Sequence, residues 1–162
     1  MGVATPLSSG TKTEAIDRKW MEHAISLARK AEVQGEVPVG AVIVCEGEAI
    51  GEGWNQNISR HDPSAHAEIV ALRQAGLQSQ NHRLPGCVMY VSLEPCAMCV
   101  GAMIHARIEK LLFAAPDPKS GALGGAYCLP AVHPHNHVLE YRGGLMADDA
   151  AAILKAFFRA RR

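Results

Sequence analysis

The alternation of apolar and polar positions predicts a helix followed by a pair of strands in the first third of the chain. The stretch EAIDRKWMEHAISLARKAE repeats apolar residues at helical spacing. Its predicted buried stripe consists of Ile16, Trp20, Ala24, Leu27 and Ala31. The stretch VGAVIVCEGEAIGEGW is rich in β-branched residues and predicts two strands joined by a turn near Glu46-Gly47.

The remainder of the chain alternates apolar strands with helices. The stretch SAHAEIVALRQAG predicts a helix that is opened by Asp62-Pro63-Ser64 and ends at Gly76. The runs CVMYVSL and KLLFAA predict buried strands, and PCAMCVGAMIHA between them predicts a third helix. A Gly- and Pro-rich loop then leads to a last predicted strand, HVLEYRGG. The final stretch, ADDAAAILKAFFRARR, predicts a helix whose buried face consists of Ala151, Leu154 and Phe158.

This order of elements is typical of an α/β fold, in which helices cover both faces of one sheet. The first two strands form a hairpin, whereas the later ones need crossover connections. We therefore expect a three-layer α/β/α sandwich around a mixed five-stranded sheet. The apolar pattern starts at about residue 14, so residues 1–13 are expected to be a disordered extension and residues 14–162 a single domain.

The composition and charge of the chain are those of an ordinary globular protein. The 162 residues are 48% hydrophobic and 20% charged, which is ordinary for a globular domain. No apolar run approaches the length of a membrane span, and the N-terminus lacks the apolar core of a signal peptide, so we expect a cytoplasmic protein. The formal net charge is zero, so any binding of nucleic acid depends on local basic patches.

Two of the five cysteines have a spacing that suits a metal ion. Cys96 and Cys99 lie three residues apart at the start of a predicted helix, so both thiolates can reach one ion. His66, at the start of the preceding helix, is a candidate third ligand. A closed structural zinc site usually has four protein ligands, whereas a catalytic site has three and leaves one position open for water.

Glu68 follows His66 by two residues and is the candidate proton shuttle. Zinc lowers the pKa of a bound water to about 7, which supplies a hydroxide nucleophile at neutral pH. Expulsion of an amine also requires protons to move, which a nearby carboxylate can do. His-Ala-Glu followed by Pro-Cys-Ala-Met-Cys is the established signature of zinc-dependent nucleobase deaminases. The alternatives are an unrelated histidine with two buried cysteines, and a structural zinc site.

Beyond this signature, the chain resembles the bacterial tRNA-specific adenosine deaminases from about residue 14 to its C-terminus. The resemblance rests on EVPVGAVIV, GEGWN, RHDPSAHAEI, SLEPCAMCVGAMIHARI, DPKSGALG and FFRARR. It implies a cytidine-deaminase-like fold, a homodimer and one zinc ion per subunit. The implied reaction is hydrolytic deamination of the wobble adenosine to inosine in a tRNA anticodon loop, chiefly of arginine tRNA.

The resemblance also implies roles for individual residues. In the family pattern the zinc ligands are His66, Cys96 and Cys99, and the proton shuttle is Glu68. Asn55 resembles the asparagine that holds the flipped nucleoside. Asp117 resembles the aspartate that meets the 2′-hydroxyl of a neighbouring ribose, the group that distinguishes RNA from DNA. Both residues also suit ordinary turns, which is the alternative interpretation.

Basic residues near these motifs are candidate contacts to the tRNA backbone. They are Lys119, Lys155, Arg159, Arg161 and Arg162. Four of them end the C-terminal helix, where cations are also favoured by the helix dipole. The HPHNH segment, with His133, His135 and His137, suits a solvated loop better than a second metal site. Two rival functions remain, a deaminase of free bases or nucleosides and a non-catalytic, zinc-stabilised RNA-binding subunit.

Overall fold

A mixed five-stranded sheet lies between two layers of helices in the structure, a computed structural model that describes residues 12–132 and 134–162. The strands are β1 (Gly40–Cys45), β2 (Glu48–Trp54), β3 (Val88–Leu93), β4 (Lys110–Ala115) and β5 (Glu140–Gly143). The helices are α1 (Lys12–Val33), α2 (Asn57–Arg60), α3 (Ala67–Ser79), α4 (Ala97–Ala106), α5 (Leu129–Val132) and α6 (Ala147–Arg159). The strand order is β2-β1-β3-β4-β5, with β1 antiparallel to both neighbours and β3, β4 and β5 parallel.

The sheet is apolar on both faces, which confirms the predicted three-layer sandwich. Side chains alternate along β1, so that Ala41 and Ile43 belong to one core cluster and Val42 and Val44 to the other. Helices α3 and α4 cover the first cluster, and α1 and α6 cover the second. The central parallel strands β3 and β4 are consequently buried on both sides, as expected for strands joined by helical crossovers, whereas the edge strand β5 is partly exposed.

One edge of the sheet gathers the segments that carry the sequence motifs. Strands β3 and β4 both end there, and β2 ends beside the start of β1 because these two strands are antiparallel. Three residues separate the end of β3 from the start of α4, and α3 begins at the same edge after β2 and α2. Gly53 permits the close approach of α3 to β2, since a Cβ at this position would overlap the carbonyl oxygen of Ala67.

Helix α1 differs from its prediction at its start and at Ile16, whereas the other predicted apolar positions are buried or partly buried against the core: Trp20, Ala24, Leu27 and Ala31. It begins at Lys12, so residues 12 and 13 belong to the helix, while residues 1–11 of the expected extension lie outside the described residues. Ile16 is 48% exposed, and Asp17 is buried in its place because its carboxylate accepts a 2.7 Å hydrogen bond from the Tyr90 hydroxyl. Among the described residues, no helix is both long and apolar enough to cross a bilayer.

The buried face of α6 is also displaced from its predicted position. The structure buries Ala150, Ile153 and Phe157, one residue before each member of the predicted face. Both stripes have helical spacing, so periodicity alone does not choose between them. The predicted face was therefore wrong, and Leu154 and Phe158 lie instead on the wall of a cleft.

Helix α3 runs beyond its predicted end, and the pattern missed two short helices. Gly76 lies inside α3, which continues to Ser79 and ends at Gln80 in the left-handed conformation. A glycine within a helix is unfavourable but tolerated, so it is an uncertain stop signal. Helices α2 and α5 have four residues each, too few to show a hydrophobic period.

Candidate metal centre and substrate cleft

The predicted metal ligands converge at the first residues of α3 and α4. His66 is the residue immediately before α3, Cys96 holds the same position before α4, and Cys99 lies in the first turn of α4. The His66 Nδ1 atom is 3.6 Å from the Cys96 sulfur and 3.5 Å from the Cys99 sulfur, and the two sulfurs are 3.8 Å apart. Residues 30 positions apart in the chain therefore form one compact group.

These distances fit a tetrahedral zinc ion. With Zn–S bonds of about 2.3 Å and a Zn–N bond of about 2.05 Å, tetrahedral angles place two sulfurs about 3.8 Å apart and a sulfur about 3.6 Å from the nitrogen. The observed separations match both values. Within the described part of the chain, these residues form the only group of three His, Cys, Asp or Glu side chains arranged to hold a metal. Three protein ligands leave the fourth tetrahedral position for water or substrate.

Contacts among the three ligand side chains shift their pKa values. The hydrogen bond from Cys99 lowers the pKa of the Cys96 thiol to about 4, and the His66 imidazole acts in the same direction against the effect of burial. The same pair contact, together with burial, raises the pKa of Cys99. The contact between His66 and Cys96 also raises the pKa of His66. The group therefore combines one readily formed thiolate, at Cys96, with a thiol at Cys99 whose proton a metal must displace.

Glu68 lies in the first turn of α3 and is almost completely buried, with 3% of its surface exposed. Burial raises the pKa of its carboxyl to about 7, and hydrogen bonding with Cys99 opposes the shift. A carboxyl that titrates near neutral pH can both accept and release a proton. Glu68 also contributes to the wall of the cleft that contains His66 and Cys96.

Asn55 directly follows β2 and is buried on the same cleft wall. Its Oδ1 atom accepts a 2.9 Å hydrogen bond from the backbone N–H of Ala67, the first residue of α3. The side chain thus satisfies one of the free N–H groups at the start of the helix. Asn55 therefore has a structural role next to His66, in addition to its position for the predicted contact with a nucleoside.

Asp117 lies on the cleft wall formed by the loop after β4. Its carboxylate accepts hydrogen bonds from the backbone N–H groups of Lys119 and Ser120 and from the Ser120 hydroxyl. These bonds are typical of an Asx turn. The alternative interpretation, in which Asp117 stabilises a turn, therefore agrees with the observed contacts. The predicted ribose contact stays a prediction, made by a residue whose location suits it.

The cleft is about 760 Å³ in volume, which is large enough for a nucleobase and its sugar. Its walls combine His66, Glu68 and Cys96 with residues that had no predicted role in the site, namely Val37, Val39, Leu93, Glu94, Leu154 and Phe158. Glu94 is the most informative of these, because it is a buried acid placed between a strand and the metal-binding helix. In the sequence, the only signal for Glu94 is that an acidic residue directly follows the apolar run CVMYVSL.

The predicted basic residues do not all face the same way. Lys119 and Lys155 line the cleft, and Lys155 also borders a neighbouring depression of about 320 Å³ with Arg159 and Arg162. Arg161 instead folds back, with its guanidinium 3.5 Å from the centre of the Phe157 ring. Four of the five cations are therefore continuous with the cleft, and Arg161 is engaged elsewhere.

The HPHNH segment shows no second metal group among its described residues. His137 lies 2.6 Å from the carbonyl oxygen of Ile108, and His135 lies 3.4 Å from that of Leu129. His133 is outside the described residues. These contacts tie the loop to the body of the domain.

Comparisons with known proteins agree with this geometry. The family model for the cytidine and deoxycytidylate deaminase zinc-binding region matches residues 14–115. A tRNA-specific adenosine deaminase of Haemophilus influenzae is 48% identical over 147 residues, which cover 90% of this chain and 85% of that protein. A structure from a study of A-to-I editing by tRNA:A34 deaminases has a TM-score of 0.77 and 40% identity, covering 84% of this chain and 99% of that one.

A guanine deaminase structure from Bacillus subtilis is also similar, with a TM-score of 0.58 and 39% identity. That match covers 60% of this chain and 63% of the other. The match to the tRNA:A34 deaminase structure and the family model agree with the mixed five-stranded sheet and with the predicted cytidine-deaminase-like fold. The chain therefore belongs to the deaminase family defined by the cytidine and deoxycytidylate deaminase zinc-binding region.

Proposed function

We propose that this protein hydrolytically deaminates the wobble adenosine of tRNA to inosine and releases ammonia. The observation that carries the proposal is the buried Glu68 beside the His66, Cys96 and Cys99 group on the wall of a nucleoside-sized cleft. Similarity to tRNA-specific adenosine deaminases over 90% of the chain supports the choice of substrate.

In this proposal His66, Cys96 and Cys99 hold one zinc ion per subunit. When bound there, zinc supplies Lewis-acid activation of a water molecule. Glu68 takes the proton of the attacking water and delivers it to the ring nitrogen next to the carbon that bears the amine. Glu68 then assists departure of the amine as ammonia, so that adenosine and water yield inosine and ammonia. Its pKa of about 7 suits a group that must both take and give a proton.

Recognition of the target is assigned to the two walls beside the metal group. The anticodon loop presents unpaired bases, so flipping the adenosine into the cleft costs little. The Asn55 amide contacts the base, and Asp117 accepts a hydrogen bond from the 2′-hydroxyl of a flanking ribose. The exposed Lys155, Arg159 and Arg162 extend from the cleft mouth and contact backbone phosphates.

Three further features complete the proposal. Residues 14–162 act as one deaminase domain, the protein is a homodimer, and its main substrate is arginine tRNA in the cytoplasm. A monomeric mass for the active, zinc-loaded protein in solution would contradict the homodimer.

The decisive experiment measures inosine at the wobble position of an arginine tRNA transcript with an ACG anticodon. Zinc-loaded wild-type protein should convert it, and Glu68→Ala should retain zinc without converting it. A protein that carries stoichiometric zinc but leaves the transcript unchanged would contradict the proposed substrate. Binding of the tRNA without ammonia release by the wild type would indicate a non-catalytic RNA-binding subunit.

A deaminase of free bases is the second candidate, and the similarity to guanine deaminase favours considering it. The cleft volume accommodates a free purine as well as a nucleotide. Ammonia release from guanine, cytosine and free nucleosides should be measured beside the tRNA assay. A higher kcat/KM on any of these than on tRNA would favour this candidate over the first.

A further inference from the structure

Glu94 joins the metal-binding helix to the loop on the opposite wall of the cleft. It follows β3 and lies two residues before the metal ligand Cys96. Only 3% of its surface is exposed. Its backbone N–H donates a 2.8 Å hydrogen bond to the carbonyl oxygen of Ala115, the last residue of β4. The residue is thus held at the ends of both parallel strands.

The Glu94 carboxylate accepts hydrogen bonds from three backbone N–H groups of the loop after β4. Its Oε1 atom lies 3.1 Å from the nitrogen of Asp117. Its Oε2 atom lies 3.0 Å from the nitrogen of Leu123 and 2.9 Å from that of Gly125. The donors come from positions 23, 29 and 31 residues further along the chain, so one side chain organises the whole segment 117–125.

The charge on this carboxylate is compensated by the loop backbone. Among the described residues, no Lys, Arg or His side chain forms an ion pair with Glu94. A buried carboxylate without hydrogen bonds is strongly unfavourable, so the loop N–H groups cannot separate from it at low cost. Gly121 packs so closely that a Cβ on it would collide with the carboxylate. The contact therefore favours one loop conformation.

We propose that Glu94 is a positioning residue that fixes the 116–120 wall of the cleft relative to the metal group. This inference rests on the proposed function, because the wall carries Asp117, Lys119 and Ser120 towards the substrate. A loop that is ordered before binding loses less conformational entropy when substrate arrives. Glu94 therefore acts on substrate binding rather than on the chemical step.

The two oxygens of Glu94 make its replacement informative. Glutamine has the same shape but only one acceptor oxygen, and its NH₂ group would face at least one loop N–H, donor against donor. Glu94→Gln should therefore release one side of the loop without leaving a cavity. Gly121→Ala is a second variant that keeps the carboxylate. Its added Cβ would overlap both the Glu94 carboxylate and the carbonyl oxygen of Asp117, which displaces the loop.

The control is a buried carboxylate that does not line the cleft. Asp17 is 6% exposed and accepts its hydrogen bond from Tyr90 in the core cluster on the other face of the sheet. Asp17→Asn should lower overall stability without changing the 116–125 loop. Comparison with this variant separates a specific effect on the loop from general destabilisation.

The test combines zinc content, hydrogen exchange of the backbone amides and steady-state kinetics on the tRNA transcript. In Glu94→Gln and Gly121→Ala, the amides of Asp117, Leu123 and Gly125 should exchange about tenfold faster or more, because charge-assisted hydrogen bonds are lost. Zinc content should be unchanged. The KM should rise about tenfold, with kcat within about threefold of wild type.

Three outcomes would overturn the inference. One is unchanged loop exchange in both variants. Another is a fall in kcat with an unchanged KM. The third is loss of zinc while the loop amides stay protected, which would mean that Glu94 stabilises α4 rather than the loop. Because exchange requires no substrate, it decides the role of Glu94 in the loop even if the wild type does not act on tRNA. If Glu94→Gln does not fold, Gly121→Ala decides the same question.

Discussion

The amide oxygen of Asn55 caps the helix that carries the metal ligand His66, through its 2.9 Å hydrogen bond with the Ala67 N–H. One residue therefore connects the end of β2 to the start of α3 and lies on the substrate cleft as well. The amide oxygen of Asn55 is engaged by the helix, so its NH₂ group is the part left for the proposed contact with the base.

Asn55→Asp should retain the helix cap, since the carboxylate keeps an acceptor oxygen at the same place. It should nevertheless lose at least about tenfold in kcat/KM, because the NH₂ group assigned to the base is gone. Asn55→Ala should lose both functions and be less stable by about 1 kcal/mol, as for other lost helix caps. Denaturant unfolding and kinetics measure the two effects. Equal activity in Asn55→Asp and wild type would remove the proposed contact.

Glu68→Gln should keep its zinc and lose about 10²- to 10⁴-fold in kcat, the usual contribution of a general acid–base group. Its thermal stability should be at least that of wild type, because burial disfavours the ionised carboxylate and the amide carries no charge. Glu48→Gln is the matched control, since Glu48 is an exposed residue at the start of β2. Residual activity within tenfold of wild type would show that another group moves the proton.

Zinc binding should strengthen as pH rises. The hydrogen bond to Cys96 and burial raise the pKa of Cys99, so its thiol keeps its proton at neutral pH until a metal displaces it. Contact with Cys96 also raises the pKa of His66, so protonation of its ring competes with zinc in the same direction. Calorimetry in buffers of different ionisation enthalpy should therefore detect proton release on zinc addition. Cys99→Ser should bind zinc weakly, and stoichiometric zinc in that variant would contradict the ligand set.

Affinity for tRNA should depend on the cations that continue from the cleft. Lys155→Gln and Arg159→Gln should each weaken binding and lower the slope of log K against log salt by about one, as for a lost phosphate contact. Arg161→Gln should have a smaller effect, because its guanidinium stacks on Phe157. Arg83→Gln is the control, since this exposed residue lies in the connection that enters β3 at the opposite edge of the sheet. A salt slope that is unchanged in both Lys155→Gln and Arg159→Gln would place the RNA path elsewhere.

Much of the site could be predicted because its chemistry is encoded over short distances in the chain. The spacing of Cys96 and Cys99 places both thiolates at one helix start, and the two-residue step from His66 brings Glu68 beside them. The strands were predictable for a similar reason, since continuous apolar runs flanked by turn residues distinguish β3 and β4.

Tertiary structure decided what depends on long-range packing. The sequence allowed two adjacent apolar stripes on α6, and only contact with the sheet selected Phe157 for the core and left Phe158 on the cleft. The helix-capping role of Asn55 and the loop contacts of Glu94 were likewise invisible, because their partners lie 12 to 31 residues away in sequence. Local periodicity and spacing thus determine elements and motifs, whereas the fold alone determines which buried polar groups meet.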